Sequence, residues 1–275
     1  MSLFIASLNS GSNGNCYYVG NAQEAVLVDA GISCLETEKR MKRLGLALSN
    51  VKAIFISHEH SDHIRGVEVL SRKYQLPVYI SDKTHSNSRL QLEMHLQKPF
   101  QTAETVQIGD LQIKAFSKRH DAADPHSFVV SGNSISVGVF TDIGSACQNM
   151  IQHFKQCHAV FMEANYDDEM LLKGRYPYHL KNRIHGGHGH LSNAQALQVF
   201  AEHRAVFMSH LLLSHLSKDN NCPDLVQQLF DATANGTEII VASRYHESKV
   251  YQIDGLFMMD LPSKKADETM QLSLF

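Results

Sequence analysis

Short apolar runs alternate along the chain with polar, glycine-bearing turns, and that rhythm predicts an α/β architecture. Leu3 to Leu8, Cys16 to Val19 and Ala25 to Val28 read as strands, the last two forming a hairpin about Gly20-Asn21. Cys34 to Leu44 has helical spacing and stops before Gly45. Ala53 to Ile56 is a buried strand by its unbroken apolar character, and Ile64 to Tyr74 sets Val67, Leu70 and Tyr74 on one helical face. Val78 to Ile80 is a short strand after Pro77, and Thr84 to Leu96 carries a weak helical pattern on a polar background. Two hairpins come next, Thr105 to Ser117 turning at Gly109-Asp110, then Phe128 to Val130 with Ile135 to Phe140 about Gly132-Asn133. Ala159 to Met162 and Ala205 to Leu213 read as strands, as do Ile239 to Ala242 and Lys249 to Ile253. Ser192 caps a helix running to about His203, and Pro223 opens another to about Ala232. The layout is two similar β-rich halves, which predicts two sheets packed face to face with helices outside.

The polar residues that close these strands carry the chemistry. Ser57-His58-Glu59-His60-Ser61-Asp62-His63 holds four candidate ligands in the pattern H-x-H-x-D-H. It comes after a buried strand, and the carboxyl edge of an α/β sheet is where sites form. Adjacent residues of a tight loop cannot all face one ion, so the pattern predicts two. His58 and His60 would face the first, Asp62 and His63 the second. Further strand ends supply His120 for the first ion, His215 for the second, and Asp142, whose two oxygens suit a bridge. Asp29, followed by Ala30-Gly31, either orients a ligand histidine from behind or caps the next segment. The loop Asn9 to Asn15 either presents backbone N–H groups to a phosphate or simply turns the chain.

Composition narrows the setting. With 25 Lys and Arg against 28 Asp and Glu, a net charge of -3 gives no global positive field for nucleic acid, although bound cations would make the site itself positive. The 17 histidines are the one compositional oddity, and they ask for an explanation. Five cysteines without a C-x-x-C pair fit a reducing cytoplasm better than a disulfide framework. No apolar run reaches membrane-spanning length, and Met1-Ser2-Leu3-Phe4 lacks the basic start of a signal peptide.

The ordered set Asp29, His58-x-His60-x-Asp62-His63, His120, Asp142 and His215 resembles the metallo-β-lactamase superfamily. The resemblance implies an αββα four-layer sandwich with a dinuclear site at its open edge. Further pieces resemble the YycJ/WalJ-type bacterial exonucleases: Ser10 to Cys16, His120-Asp121-Ala122 with Pro125, Thr141 to Gly144, Glu163-Ala164-Asn165, Gly189 to Asn193, and His215-Leu216-Ser217 with Asn220-Asn221. They span nearly the whole chain. This likeness implies a metal-dependent phosphodiesterase, a DNA exonuclease running 5′ to 3′ in repair. Asp62 would orient the nucleophile, and His190 would donate a proton to the leaving oxygen or bind the phosphate. Histidine-rich ligation favours zinc, the resemblance makes manganese equally suitable, and iron fits the same ligands. Two departures stand out. His126 competes with His120 for the first ion, and His185 and His188 add imidazoles to a loop that usually has fewer.

Residues 166 to 191 interleave Lys173, Arg175, Lys181 and Arg183 with Tyr176 and Tyr178, either to hold a nucleic-acid strand or as a solvated helical insert. The catalytic domain is expected to run over residues 1–261, followed by a charged, linker-like tail over 262–275. The tail ends Gln271-Leu272-Ser273-Leu274-Phe275, which resembles the bacterial sliding-clamp-binding motif. Such a tether would raise the local concentration of DNA for an acidic enzyme. The alternatives are an RNA-processing enzyme, a small phosphodiester or thioester hydrolase of the same fold, and a clamp-tethered adaptor with a structural metal. A flavodiiron-type redox role is disfavoured, since that pattern places an acid where His60 stands.

Overall fold

A computed structural model describes residues 2–255. The expected boundary at residue 261 and the pentapeptide Gln271 to Phe275 lie outside the described residues. The first half of the chain lays down β1 (Leu3–Asn9), β2 (Cys16–Gly20), β3 (Ala25–Val28), β4 (Val51–Phe55), β5 (Val78–Tyr79) and β6 (Gln97–Lys98). Between them run α1 (Cys34–Arg43), α2 (Ser61–Ile64), α3 (Val67–Tyr74) and α4 (Asp82–Ser88). The second half forms β7 (Thr105–Ile108), β8 (Leu111–Ser117), β9 (His126–Gly132), β10 (Ile135–Phe140), β11 (Ala159–Glu163), β12 (His210–Ser214) and β13 (Glu238–Val241). Its helices are α5 (Gln148–Phe154), α6 (Asp168–Lys173), α7 (Tyr178–His185), α8 (Asn193–His203) and α9 (Pro223–Asp231). The chain then returns, and β14 (Tyr251–Ile253) pairs antiparallel with β1.

Two seven-stranded sheets result, in the orders β14-β1-β2-β3-β4-β5-β6 and β13-β12-β11-β10-β9-β8-β7. Strand periodicity sorts the apolar residues into layers. On β3, Val26 and Val28 enter the core between the sheets, while Ala25 and Leu27 face α1 and α3. On β12, Leu212 points to that same inner core and Leu211 and Leu213 point out beneath α5, α8 and α9. Aromatic pairs stitch the sheets, Tyr17 to Phe161 at 4.9 Å between ring centroids and Phe55 to Phe128 at 5.6 Å. This is the expected αββα sandwich.

The hairpins form as the turn residues predicted, with Gly20 opposite Ala25 and Ile108 opposite Leu111. Three expectations need correction. Ile64 to Tyr74 is not one helix, because the chain breaks at Arg65-Gly66 into α2 and α3. A Cβ at Gly66 would lie 1.9 Å from the Ile32 carbonyl oxygen, so only glycine lets the turn press against the loop after β3. Of Ala205 to Leu213, only the part from His210 onward is strand. Met208 N–H bonds to Ala205 O at 3.0 Å, a turn that steps the chain from α8 into the sheet. Thr84 to Leu96 is helical only to Ser88 within α4. Among the described residues no helix is long and apolar enough to cross a membrane.

Candidate metal centre

The carboxyl ends of β3, β4, β10, β11 and β12 share one rim of the sandwich, leading to Asp29, His58, Asp142, Glu163 and His215, and β8 leads there to His120. Asp29, Asp142 and His215 have left-handed backbones, with φ of 61°, 54° and 58°. That conformation costs a non-glycine residue roughly 1–2 kcal/mol. Three such residues at three strand ends mark a place where position matters more than local comfort. The histidine loop is zipped to its neighbours, Asn15 N–H donating to Asp62 O at 2.7 Å, Ala30 N–H to His63 O at 2.9 Å and Gly31 N–H to Asn15 O at 2.8 Å. The loop at residues 10–15 is therefore a clasp rather than a phosphate cradle. Its Gly14 amide goes to Gly11 O at 2.8 Å and its Gly11 amide to Asn15 Oδ1 at 3.0 Å.

The predicted ligands gather in two halves. In the first, His60 Nδ1 lies 3.0 Å from His58 Nε2 and 3.4 Å from His120 Nε2. His58 Nδ1 donates to Ser57 Oγ at 2.9 Å and His120 Nδ1 to Gly189 O at 2.9 Å, which leaves both Nε2 atoms as lone pairs. Lone pairs converging this closely repel one another unless a cation lies among them. Nitrogens around tetrahedral zinc at 2.0–2.1 Å stand roughly 3.3 Å apart, a spacing that the 3.0 and 3.4 Å separations bracket. In the second half, Asp62 Oδ2 is 3.5 Å from His63 Nε2 and 3.5 Å from His215 Nε2. Asp142 lies between the halves, Oδ2 3.2 Å from His63 Nε2 and Oδ1 3.8 Å from His120 Nε2. Asp142 Oδ2 and His215 Nε2 are buried with no hydrogen-bond partner among the described residues. Buried polar atoms rarely stay unsatisfied, so the donor set fits divalent metal ions.

Two carboxylates orient the ligands from behind. Asp29 accepts from Ser57 N–H at 2.8 Å, Ser57 Oγ at 2.8 Å and His63 Nδ1 at 2.7 Å. Of the two roles open to it from sequence, the orienting one has the geometry. Glu163 plays the same part opposite, a role that sequence reasoning missed. Its Oε1 accepts from His190 Nδ1 at 2.8 Å and His215 Nδ1 at 3.0 Å, its Oε2 from Ile143 N–H at 2.8 Å and Leu191 N–H at 3.0 Å. Although its oxygens lie within ligand distance of Asp142, His190 and His215, four donors already occupy them, so Glu163 aims imidazoles rather than binding a metal. The available signal was its place at a strand end before a small residue, as with Asp29. Lys118, also unassigned from sequence, is buried and donates to Thr141 O at 2.7 Å, holding the turn into Asp142.

Electrostatics divide the halves. Burial lowers the pKa of His58 well below the usual histidine range, lowers that of His60, and takes His120 down to about 4. Burial opposes charge on His63 and His215 too, but Asp142 and the carboxylates beside it prevail. His63 is held well above its usual value and His215 rises to about 10.

His190 stands in the wall of a cavity of about 170 Å³ shared with His215, and its Nδ1 bond to Glu163 leaves Nε2 for a ligand. His126 does not compete with His120. Its Nδ1 donates to Asp124 O at 2.9 Å, its Nε2 meets Thr102 Oγ1 at 2.8 Å, and its ring packs on Phe100. Neither His185 nor His188 joins a ligand cluster among the described residues, and His185 bonds Asn182 at 3.2 Å. The stretch over residues 166–191 is a helical insert, α6 and α7, whose Tyr176, Leu180 and Arg183 line the His190 cavity.

Residues 24–216 match the family model described as the Beta-lactamase superfamily domain, which takes in the whole cluster from Asp29 to His215. The chain belongs to the beta-lactamase superfamily. Within the superfamily it is 37% identical over 232 residues to the Exodeoxyribonuclease YycJ of Bacillus anthracis, covering 82% of this chain and 87% of the relative. It is 34% identical over 223 residues to the Exodeoxyribonuclease WalJ of Streptococcus pneumoniae, covering 79% of this chain and 83% of that one. Among solved structures, the metallo-beta-lactamase fold protein YhfI from Bacillus subtilis superposes with a TM-score of 0.71 over 92% of this chain and 100% of that chain, at 18% identity. That likeness shows the shared fold.

The division of charge is open to measurement. The first half offers neutral imidazoles above about pH 4, judged by His120, whereas His215 keeps its proton up to about pH 10. Metal must displace protons in the second half, so its affinity should rise with pH through the neutral range while that of the first half stays flat. Calorimetric titration in buffers of different ionisation heat should show proton release on filling one half only; equal release from both would contradict the assignment. Glu163→Gln keeps the shape but removes the charge that aims His190 and His215. Metal affinity by chelator competition should fall roughly 10–100-fold.

Proposed function

We propose that the chain is a metal-dependent DNA exonuclease that degrades from 5′ ends in DNA repair, using two divalent ions, zinc or manganese with iron a third fit, held by His58, His60, Asp62, His63, His120, Asp142 and His215. The observation that carries the reading is the pairing of an intact two-halved ligand cluster with 37% identity, over most of both chains, to a relative named an exodeoxyribonuclease. A structural metal would sit in a closed mononuclear shell, whereas this cluster opens onto a cavity. That weighs against an adaptor.

Bound divalent ions supply Lewis acidity at the phosphate and offset the site's carboxylates. The chain's own residues do the rest. Asp142 spans the halves and fixes their spacing. Asp62, partly exposed at 18% beside the buried His63, is the carboxylate placed to orient the attacking water. His190 presents Nε2 to the cavity, where it donates to the leaving oxygen or the departing phosphate. Glu163 and Asp29 hold the imidazoles in line, and Lys118 holds the backbone before Asp142. A cytoplasmic setting is part of the proposal, resting on cysteine usage.

The tail completes it: Gln271, Leu272, Ser273, Leu274 and Phe275 would dock into the bacterial sliding clamp as a short linear motif.

The deciding assay compares 5′-phosphorylated duplex DNA, single-stranded DNA and RNA of matched sequence with zinc- or manganese-loaded protein. Loss of DNA from one end, abolished in Asp62→Ala, is the expected outcome. Cleavage of RNA alone would shift the reading to RNA processing, and no cleavage with metal bound would remove nucleic acid as substrate. For the tail, full-length protein should bind immobilised bacterial clamp, and Leu272→Ala with Phe275→Ala should abolish that binding. Retention by the double variant would refute the motif.

A further inference from the structure

A second cavity adjoins the metal centre and plays no part in the mechanism above. It measures about 280 Å³ and is walled by Ser10, Leu216, Ser217, Ser243, Arg244 and Tyr245 among others. Ser217 also lines the smaller cavity that holds His190 and His215, so the two share a wall. Ser10 joins this second cavity to the centre itself, because its Oγ accepts the N–H of His215 at 2.7 Å. Whatever occupies the second cavity lies directly beside whatever occupies the centre.

Arg244 gives that cavity its chemistry. Its Nη1 is buried without a hydrogen-bond partner among the described residues, and its Nη2 reaches only Ser12 Oγ at 3.5 Å. Three arginines pair with carboxylates, Arg40 with Glu36, Arg43 with Glu247 and Arg183 with Asp121. Arg244 has none among the described residues. Its backbone is pinned, since Asn13 Nδ2 donates to Arg244 O at 2.8 Å and Gly11 leaves room for the Arg244 side chain, a Cβ there falling 3.3 Å from Arg244 Cβ. A positioned, partly buried guanidinium lacking an acceptor asks for an anion, and its fork suits phosphate oxygens. Around it Leu216, Val241 and Ala242 are apolar, Lys218 adds a second cation to the wall, and Tyr245, 61% exposed at the mouth, has its ring 5.9 Å from the Arg244 guanidinium.

On the nuclease reading above, we infer that this cavity receives the terminal nucleotide of the strand, with its 5′-phosphate on Arg244 while the next phosphate lies at the metal centre. A terminal phosphate monoester carries more negative charge than an internal diester, and a 3′-hydroxyl end offers none. A cation reserved for that group therefore favours a chain end over an internal segment and favours the 5′ end over the 3′ end. The pocket makes the enzyme exonucleolytic and sets its direction.

The test uses full-length, metal-loaded protein with DNA that differs only in carrying a 5′-phosphate or a 5′-hydroxyl. Wild type should prefer the phosphorylated end by roughly tenfold or more in kcat/KM, the loss expected when a charge-assisted pair is removed. Arg244→Gln should collapse that ratio toward one and Arg244→Lys should restore part of it, with metal content and Tm unchanged in both. An unaltered ratio in Arg244→Gln, or no preference in wild type, overturns the assignment. Calorimetric titration with a deoxynucleoside 5′-monophosphate separates this failure from failure of the nuclease reading. If wild type cuts no DNA yet binds the monophosphate and Arg244→Gln does not, the pocket stands and the nuclease reading falls; equal binding by both overturns the pocket.

Discussion

Four carboxylates, Asp29, Asp62, Asp142 and Glu163, crowd one rim of the sandwich, and the fold has to answer their repulsion. Three are buried and the fourth is nearly so. A buried charge without partners costs several kcal/mol, so how each is met determines what each can do. Asp29 and Glu163 give their oxygens to backbone N–H groups, a serine and imidazoles, and their charge acts through the rings they hold. Asp62 and Asp142 are turned inward with oxygens to spare. Satisfaction by protein donors thus separates the carboxylates that aim ligands from those that can bind a metal.

Neither sheet makes the centre alone. His58, His60, Asp62 and His63 come from the loop after β4 in one sheet, and His120, Asp142 and His215 come after strands of the other. The ligand spacing therefore inherits the precision of the inter-sheet core below it. Tyr17 makes the connection explicit. Its ring packs on Phe161 across the core, while its hydroxyl meets Ser10 Oγ at 2.8 Å and donates to Asn15 Oδ1 at 3.1 Å. Asn15 in turn donates to Asp62 Oδ2 at 3.2 Å. Packing of the apolar interior and orientation of the site are one problem, solved at the same residues.

Much of this was legible because the governing interactions are local in sequence. The hairpins arise from short turns, four residues between β2 and β3 and two in each of the later pairs, and H-x-H-x-D-H packs its ligands into a single loop. What escaped was set by contacts between distant segments. The break at Gly66 exists because the loop after β3 lies against it, and no pattern in Ile64 to Tyr74 announces that neighbour. Residues 205–209 are apolar enough for a strand but are used as a turn out of α8. Glu163 resembled other strand-end acids, and the approach of His190, from a segment 27 residues later, and of His215, 52 residues later, gives it work. His126 carried the right atom type near His120, but its two ring nitrogens are taken by Thr102 and Asp124 and its ring packs on Phe100. Those neighbours come from other segments, and composition could not rank the two histidines.

Charge distribution around the centre bears on how an acidic chain could engage a polyanion. A net charge of -3 provides no long-range attraction, and at physiological ionic strength fields fade beyond roughly 8 Å. Attraction must then be local. The insert over residues 166–191 looks basic in sequence, yet Lys173 is tied to Glu169, Arg183 to Asp121, and Lys181 to the carbonyl of Leu172. The two ion pairs neutralise Lys173 and Arg183, whereas the carbonyl bond fixes where Lys181 points and leaves its charge in place. Beside the metal centre, the Arg244 guanidinium and the Lys218 ammonium both stand in the wall of the adjoining cavity. On the proposed reading, a phosphate end would meet cations in the cavity wall at short range rather than a long-range field.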